Sequence, residues 1–113
     1  NRKGVVMNKN YFKGIIKCDH CGSNYIRKID HEIPIFVCST ANNYGKEICP
    51  NSRRIKEEEL VEIINNHCKI HNKNYKIQKT KLFVRQIKIM WNGMVIFYRD
   101  GLKTVISSHE IIF

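Results

Sequence analysis

The sequence predicts an α+β protein in which a small β-ribbon is followed by one helix and a three-stranded antiparallel meander. Three observations predict it. Cysteines at positions 18, 21, 38 and 49 bracket two short β-rich runs. A stretch opening on Glu57-Glu58-Glu59 carries apolar residues at helical spacing. Beyond it, an Asn-Gly and an Asp-Gly dipeptide separate three runs of strand-forming residues.

Taken in order, residues 11–17 (Tyr-Phe-Lys-Gly-Ile-Ile-Lys) read as a short strand delivering Cys18. Residues 25–29 alternate with basic side chains and residues 33–38 are β-rich, so the polar Asp30-His31-Glu32 between them predicts a hairpin. Residues 39–46 contain Asn42-Asn43-Tyr44-Gly45, a loop by composition, which returns the chain to Cys49-Pro50. From Glu57 to about His71 a helix is expected. Acidic residues suit its positive N-terminal end, and Leu60, Ile63, Ile64, His67, Cys68 and His71 share one face, expected to pack on sheet. Residues 72–81 form a short basic connector. The meander then runs through residues 87–91, 94–99 and 102–106, with Asn92-Gly93 and Asp100-Gly101 as two-residue turns at positive φ. The expected division is a ribbon over residues 1–56 and a helix plus meander over residues 57–113, packed as one compact unit.

The five cysteines cannot all pair with one another, and their spacing is uneven. In a reducing compartment such a set points to metal binding more than to a disulfide framework. Cys18-Asp19-His20-Cys21-Gly22 is a knuckle: two intervening residues let both sulfurs turn toward one ion, and the glycine permits a backbone conformation that other residues resist. Cys38 and Cys49 would complete a closed, tetrahedral, structural zinc site, making a zinc ribbon with one Zn2+ per chain. A segment of ~40 residues with so few large aliphatics cannot hold itself together, whereas structural zinc supplies on the order of 10 kcal/mol of apparent folding free energy. Other readings stay open at this point. The thiols could simply be reduced and buried, or His20 could replace a cysteine. His67 and His71, at i and i+4, could serve a zinc finger, although forty-five residues separate Cys21 from His67 where such fingers use about twelve. Cys68 reads as a small apolar residue on the helix face, and Asp19 as a solvent-exposed turn residue. Four thiolates leave no open position for water, which argues against a zinc enzyme.

Composition bounds the rest. The chain has 113 residues, enough for one domain or two very small ones. Twenty Lys plus Arg against ten Asp plus Glu give a formal charge of +10. With 42% hydrophobic residues and scattered aromatics it is a folding chain and not a disordered basic tail. Its longest apolar runs fall far short of the ~20 residues needed to span a bilayer, and no signal-peptide pattern opens it, so a soluble, cytoplasmic protein is expected. Asn1 in place of an initiating Met suggests a piece of a longer polypeptide.

The segments Phe12-Lys-Gly-Ile-Ile-Lys-Cys18-Asp-His-Cys21-Gly, Ile35-Phe-Val-Cys38-Ser, Ile48-Cys49-Pro50 and Ile55-Lys-Glu-Glu-Glu-Leu60 resemble the zinc-ribbon region of large serine recombinases, the phage integrases and transposon resolvases of bacteria. The resemblance extends over roughly residues 11–106 and takes in Phe83-Val-Arg-Gln-Ile87-Lys-Ile near the end. It implies that Cys18, Cys21, Cys38 and Cys49 are the zinc ligands. It also implies binding to the outer part of a double-stranded DNA attachment site, in the company of other recombinase subunits. Two departures qualify it. Many members carry a long coiled-coil arm between the helix and the closing strands, where only about ten residues (72–81) stand here, so arm-mediated synapsis is not expected of this chain. The family's catalytic domain is missing, and Ser23, Ser39, Ser52, Ser107 and Ser108 match no part of its catalytic motif. A non-catalytic DNA-binding fragment with no small-molecule substrate is expected.

The charge is unevenly divided. Residues 1–56 hold eleven Lys or Arg against four acidic residues, a balance of +7, and residues 57–113 hold nine against six, a balance of +3. Clustered cations suit phosphate contacts, while long polar and aromatic side chains reach base edges. The candidate DNA-binding residues are therefore Arg27, Lys28, His31, Tyr44, Lys46, Arg53 and Arg54. A merely solvated lysine-rich surface is the plain alternative. A competing expectation is a protein-interaction or oligomerisation module with only non-specific DNA affinity, presenting an apolar patch of Trp91, Phe97, Tyr98 and Ile111-Ile112-Phe113.

Overall fold

The computed structural model describes residues 9–51, 53–107 and 111–112. It is α+β, with a cysteine-bearing ribbon, one long helix and an antiparallel meander, as the sequence predicts. The first strand is shorter than expected: β1 covers only Ile16–Cys18, because the chain before it turns, with the Ile15 amide donating to the Phe12 carbonyl at 3.2 Å. This turn buries the Phe12 ring edge-on to Phe36, with centroids 5.3 Å apart.

β2 (Tyr25–Asp30) and β3 (Ile33–Cys38) form the predicted hairpin. Its two turn residues, His31 and Glu32, both adopt positive φ, 50° and 67°, the backbone twist that matches a tight hairpin. The expected loop after Cys38 is instead a short helix, α1 (Ser39–Tyr44). Asn42 and Asn43 are weak helix formers, but tertiary bonds override them. The Ser39 amide donates to the Asn24 carbonyl at 3.1 Å, and the Ser23 and Thr40 hydroxyls lie 2.5 Å apart. β4 (Ile55–Lys56) then pairs with β3 and completes a three-stranded sheet in the order β2-β3-β4.

The helix α2 spans Glu57–Ile70. Leu60, Ile64, His67 and Cys68 are buried and Ile63 is half-buried, but His71 is exposed, because the helix has ended before it. Asn72, at φ 57°, stops it: the Asn72 and Lys73 amides donate to the Lys69 and Cys68 carbonyls at 3.1 and 2.7 Å, the paired bonds that close a helix with a left-handed residue. The chain turns straight back through a 3-10 turn (Ile77–Lys79) and the single-turn α3 (Thr80–Phe83).

The meander consists of β5 (Val84–Met90), β6 (Gly93–Tyr98) and β7 (Lys103–Ser107), extended by β8 (Ile111–Ile112). Its turns differ from those expected. Met90 pairs with Gly93, so the first turn is Trp91-Asn92 and Gly93 belongs to the strand. Glycine is required there for close approach, since a Cβ would run into the Ile106 carbonyl on β7. Among the described non-glycine residues, neither Asn92 nor Asp100 takes positive φ.

One pairing has no precedent in the sequence pattern. β1 joins the meander, parallel to β5, giving the strand order β1-β5-β6-β7-β8. Ile16 thereby lies beside Ile87, and Cys18 beside Ile89. The core unites the inner face of this sheet (Ile16, Ile87, Ile89, Met94, Ile96) with Leu60, Ile64 and Cys68 of α2 and Phe36 and Ile55 of the smaller sheet. No described helix is long and apolar enough to cross a membrane.

Candidate functional site

The four cysteines arrive on three structural elements and a loop. Cys18 ends β1, Cys21 sits in the knuckle, Cys38 ends β3, and Cys49 follows α1. The knuckle is shaped by two backbone bonds of 2.8 Å, from the Gly22 amide to the Cys18 carbonyl and from the Cys18 amide to the Ser23 carbonyl. Gly22 takes φ 76°, the left-handed conformation expected of it. The turn of α1 shortens the path from Cys38 to Cys49 enough to bring the second pair onto the first.

All four sulfurs lie within 4.8 Å of one another. Cys18 and Cys49 are 3.7 Å apart, Cys21 and Cys38 3.5 Å, and Cys38 and Cys49 3.9 Å. A tetrahedral ion with zinc–sulfur bonds of ~2.3 Å sets its ligands ~3.8 Å apart. A disulfide would need ~2.05 Å. The observed spacing therefore fits one zinc ion and no pair of disulfides. The soft, all-sulfur donor set and its closed geometry fit a structural ion. Zinc bound there would supply four bonds that cross-link the ribbon to the edge of the larger sheet.

The thiols differ in acidity. Burial would push Cys21 up, but hydrogen bonds from the Ser23 hydroxyl and amide, the Thr40 hydroxyl and Cys38 outweigh it and bring its pKa down to about 6. Burial dominates at the other two perturbed ligands, raising Cys38 and pushing Cys49 up to about 12. Hydrogen bonding thus favours the anionic form at Cys21, while burial disfavours it at Cys38 and Cys49.

A residue the sequence reading missed completes the site. Asn51 is buried, and its Nδ2 donates to Cys18 Sγ at 3.2 Å and to the Ile89 carbonyl at 3.0 Å. Its Oδ1 accepts from the Arg53 amide at 3.4 Å. The only hint was its place directly after Cys49-Pro50, because a polar residue flanking a metal ligand is a candidate to orient one. The histidines stand apart from the sulfurs. His20 is exposed in the knuckle, and His67 stacks on Tyr98 at 3.6 Å while its Nε2 lies 3.2 Å from Asp100 Oδ2.

The seven candidate DNA-binding residues separate into two groups. Lys28, Lys46 and Arg54 are exposed around the outer rim of the ribbon. Lys46 and Arg54 line a concavity of about 390 Å³ together with Val37, Cys38, Ala41 and Asn42, and Lys28 Nζ donates to Asn42 Oδ1 at 3.0 Å. Tyr44 stands exposed at the end of α1, and His31, 92% exposed, marks the hairpin tip, its Nδ1 2.9 Å from Asp30 Oδ1. Arg54 Nη1 reaches the other oxygen of Asp30 at 3.3 Å. By contrast, Arg27 is internal: its guanidinium meets Glu57 at 2.9 Å with both side chains less than a tenth exposed. Arg53 is half-buried, its carbonyl accepting from the Tyr25 hydroxyl at 3.0 Å and its Nε enclosed without a partner among the described residues.

The apolar patch of the competing expectation does not form as drawn. Tyr98 is buried, its hydroxyl 2.8 Å from that of Thr104, because alternate residues of β6 face the core. Phe97 is half-buried beneath Arg85 and Lys88. Trp91 alone is widely exposed, at 79%, on the β5–β6 turn. The side chains of residues 111–113 lie outside the described residues.

The model of a family described as recombinase zinc beta ribbon domain matches residues 11–69. A solved structure from work described as "Sequence Requirements of the Listeria innocua prophage attP site" shares the fold, with a TM-score of 0.55 at 15% identity, over 79% of this chain and 42% of that one. The chain thus spans less than half the length of that relative. No curated protein matches the sequence.

Proposed function

Because the chain belongs to the recombinase zinc beta ribbon domain family, we propose that it is a DNA-binding module of a serine site-specific recombinase and recognises part of an attachment site during DNA integration or excision. The observation that carries this reading is the placement of Lys28, Lys46 and Arg54 around one concave rim, directly outside the cysteine that ends β3. Zinc there acts structurally: it holds the hairpin and α1 rigid, so that the cations and Tyr44 keep a fixed relation to a groove. Lys28, Lys46 and Arg54 would meet phosphates, while His31 and Tyr44 are placed to reach bases. Arg27 and Arg53 would support these contacts from within. The structure likeness supports the reading as a likeness of fold, and the family supplies its recombination context.

No bond-breaking role falls to this module, whose four thiolates fill the metal's coordination sphere. Strand cleavage would belong to a separate domain of the parent recombinase, acting on cytoplasmic DNA with other subunits. Residues 1–56 and 57–113 would act together as a single unit on the DNA, since β1 carries a zinc ligand while pairing with β5.

The test is equilibrium binding to an attachment-site duplex and to a scrambled duplex of equal length across a salt series. Expected are tighter binding to the former and a loss of on the order of 10³-fold between ~50 and ~200 mM salt if six or more phosphates are contacted. Equal affinities would remove the specificity, and absence of binding at low salt would remove the DNA-binding role.

A further inference from the structure

We propose that the outer face of the five-stranded sheet is a second cationic surface, which lies against the phosphate backbone of the same DNA duplex as the ribbon. This rests on the DNA-binding reading and adds to it a contact face built by the pairing of distant strands.

The register builds the face. Lys17, Lys88, Val95 and Val105 stand in one row across β1, β5, β6 and β7, and Gln86, Phe97 and Lys103 stand in the next. Side chains alternate along a strand, so these rows are turned away from the core residues Ile87, Ile89, Met94, Ile96 and Ile106. A register irregularity between Val84 and Gln86 lets Arg85 join them. Its guanidinium carbon lies 5.7 Å from the centre of the Phe97 ring, and Lys88 Nζ lies 5.9 Å from the same point. The ring is bracketed by cations and offers them an apolar bed for their stems.

Among the described ion pairs, none involves Arg85, Lys88 or Lys103. Asp100, on the β6–β7 turn, is turned toward His67 and Lys73, and exposed Asp19 borders the face beside Lys17 and Lys88 without a described ion pair to either. Paired strands lie ~4.8 Å apart, which puts Lys88 and Lys103, two strands apart, on the order of 10 Å from each other. Cations spread in this way over several strands suit a repeating polyanion better than a compact ligand. Lys17 leads from this face to Cys18, so the cysteine cluster joins it to the ribbon's basic rim with no flexible linker between them.

The experiment compares three forms of the chain on one duplex over a salt series: the unaltered protein, R85Q/K88Q/K103Q, and the ribbon variant K46Q/R54Q. The expected result is a triple variant with unchanged zinc content and melting temperature, whose log K against log salt is shallower by about 2 to 3, since each lost phosphate contact removes ~0.9. An unchanged slope in the triple variant, with the ribbon variant weakened, would overturn the second surface and leave the DNA reading standing. No salt-dependent binding by any form would overturn both. Loss of binding to anionic lipid vesicles with DNA binding intact would also overturn it, assigning the face to membrane. Should the triple variant fail to fold, acetylation rates of Lys88 and Lys103 in the unaltered protein decide the matter: several-fold protection by DNA supports the proposal, and equal rates overturn it.

Discussion

Asn51 and Cys18 are joined by a hydrogen bond of 3.2 Å from the amide Nδ2 to the sulfur, and the same amide group also reaches the carbonyl of Ile89 on β5, at 3.0 Å. One buried side chain therefore orients a metal ligand and fastens the metal loop to the larger sheet. Partners of this kind typically account for 10- to 100-fold in metal affinity. Asn51→Ala should weaken zinc binding by about that factor, measured by competition with a chromophoric chelator, while zinc stoichiometry at saturation stays at one per chain. Unchanged affinity would show that the bond serves only packing.

The sulfur spacing makes a sharper demand. Cys38→Ser or Cys49→Ser should abolish tight zinc binding and collapse the ribbon, because that end of the protein draws much of its folding free energy from the metal. Cys68, buried on the core face of α2 and not one of the clustered sulfurs, supplies the control. Cys68→Ala should retain one zinc by metal analysis and lose only about 1 kcal/mol in denaturant unfolding.

Zinc affinity should rise with pH. Burial raises the Cys38 and Cys49 thiols above their ordinary range, so both carry protons at neutral pH in the metal-free chain, and zinc must displace them. A higher pH removes that competition. Cys21, lowered to about 6, has already lost its proton at neutral pH and adds to the dependence only in more acid solution. Calorimetry in buffers of different ionisation enthalpy at pH 7 to 8 should detect at least two protons released per zinc, those of Cys38 and Cys49. Release of fewer than two would contradict the assignment.

Arg27 and Glu57 should behave as an internal fastener between β2 and the start of α2. Replacing one member leaves the other charged and enclosed, so Arg27→Met should cost about 3–5 kcal/mol, whereas Arg27→Met with Glu57→Leu should recover much of it. Urea unfolding of the two variants measures this. The double variant should also keep the salt slope of DNA binding, which a phosphate-contacting Arg27 would not allow.

The local features of this protein were legible because they depend on residues close together in the chain. The β2–β3 hairpin, α2 and the meander follow from alternation, helical spacing and turn residues, and the knuckle follows from two cysteines two residues apart with a glycine after them. The resemblance to recombinase zinc ribbons could be read on the same grounds. What misled was chemistry that local pattern cannot see. Residues 39–44 have the composition of a loop but form a helix, because Asn24 and Ser23 bond to its first turn. Arg27 has the side chain of a phosphate ligand, but Glu57, thirty positions away, captures it.

The sequence by itself determined the type of each major element and which sulfurs belong together, since periodicity and ligand chemistry are written in neighbouring residues. The tertiary structure decided which cations face solvent, that Asn51 serves the metal site, and that β1 crosses to the meander sheet and sets Lys17 beside Lys88. These outcomes hang on contacts between distant segments. A strand's free edge takes whichever partner the packed core brings beside it, and no short-range pattern encodes that choice.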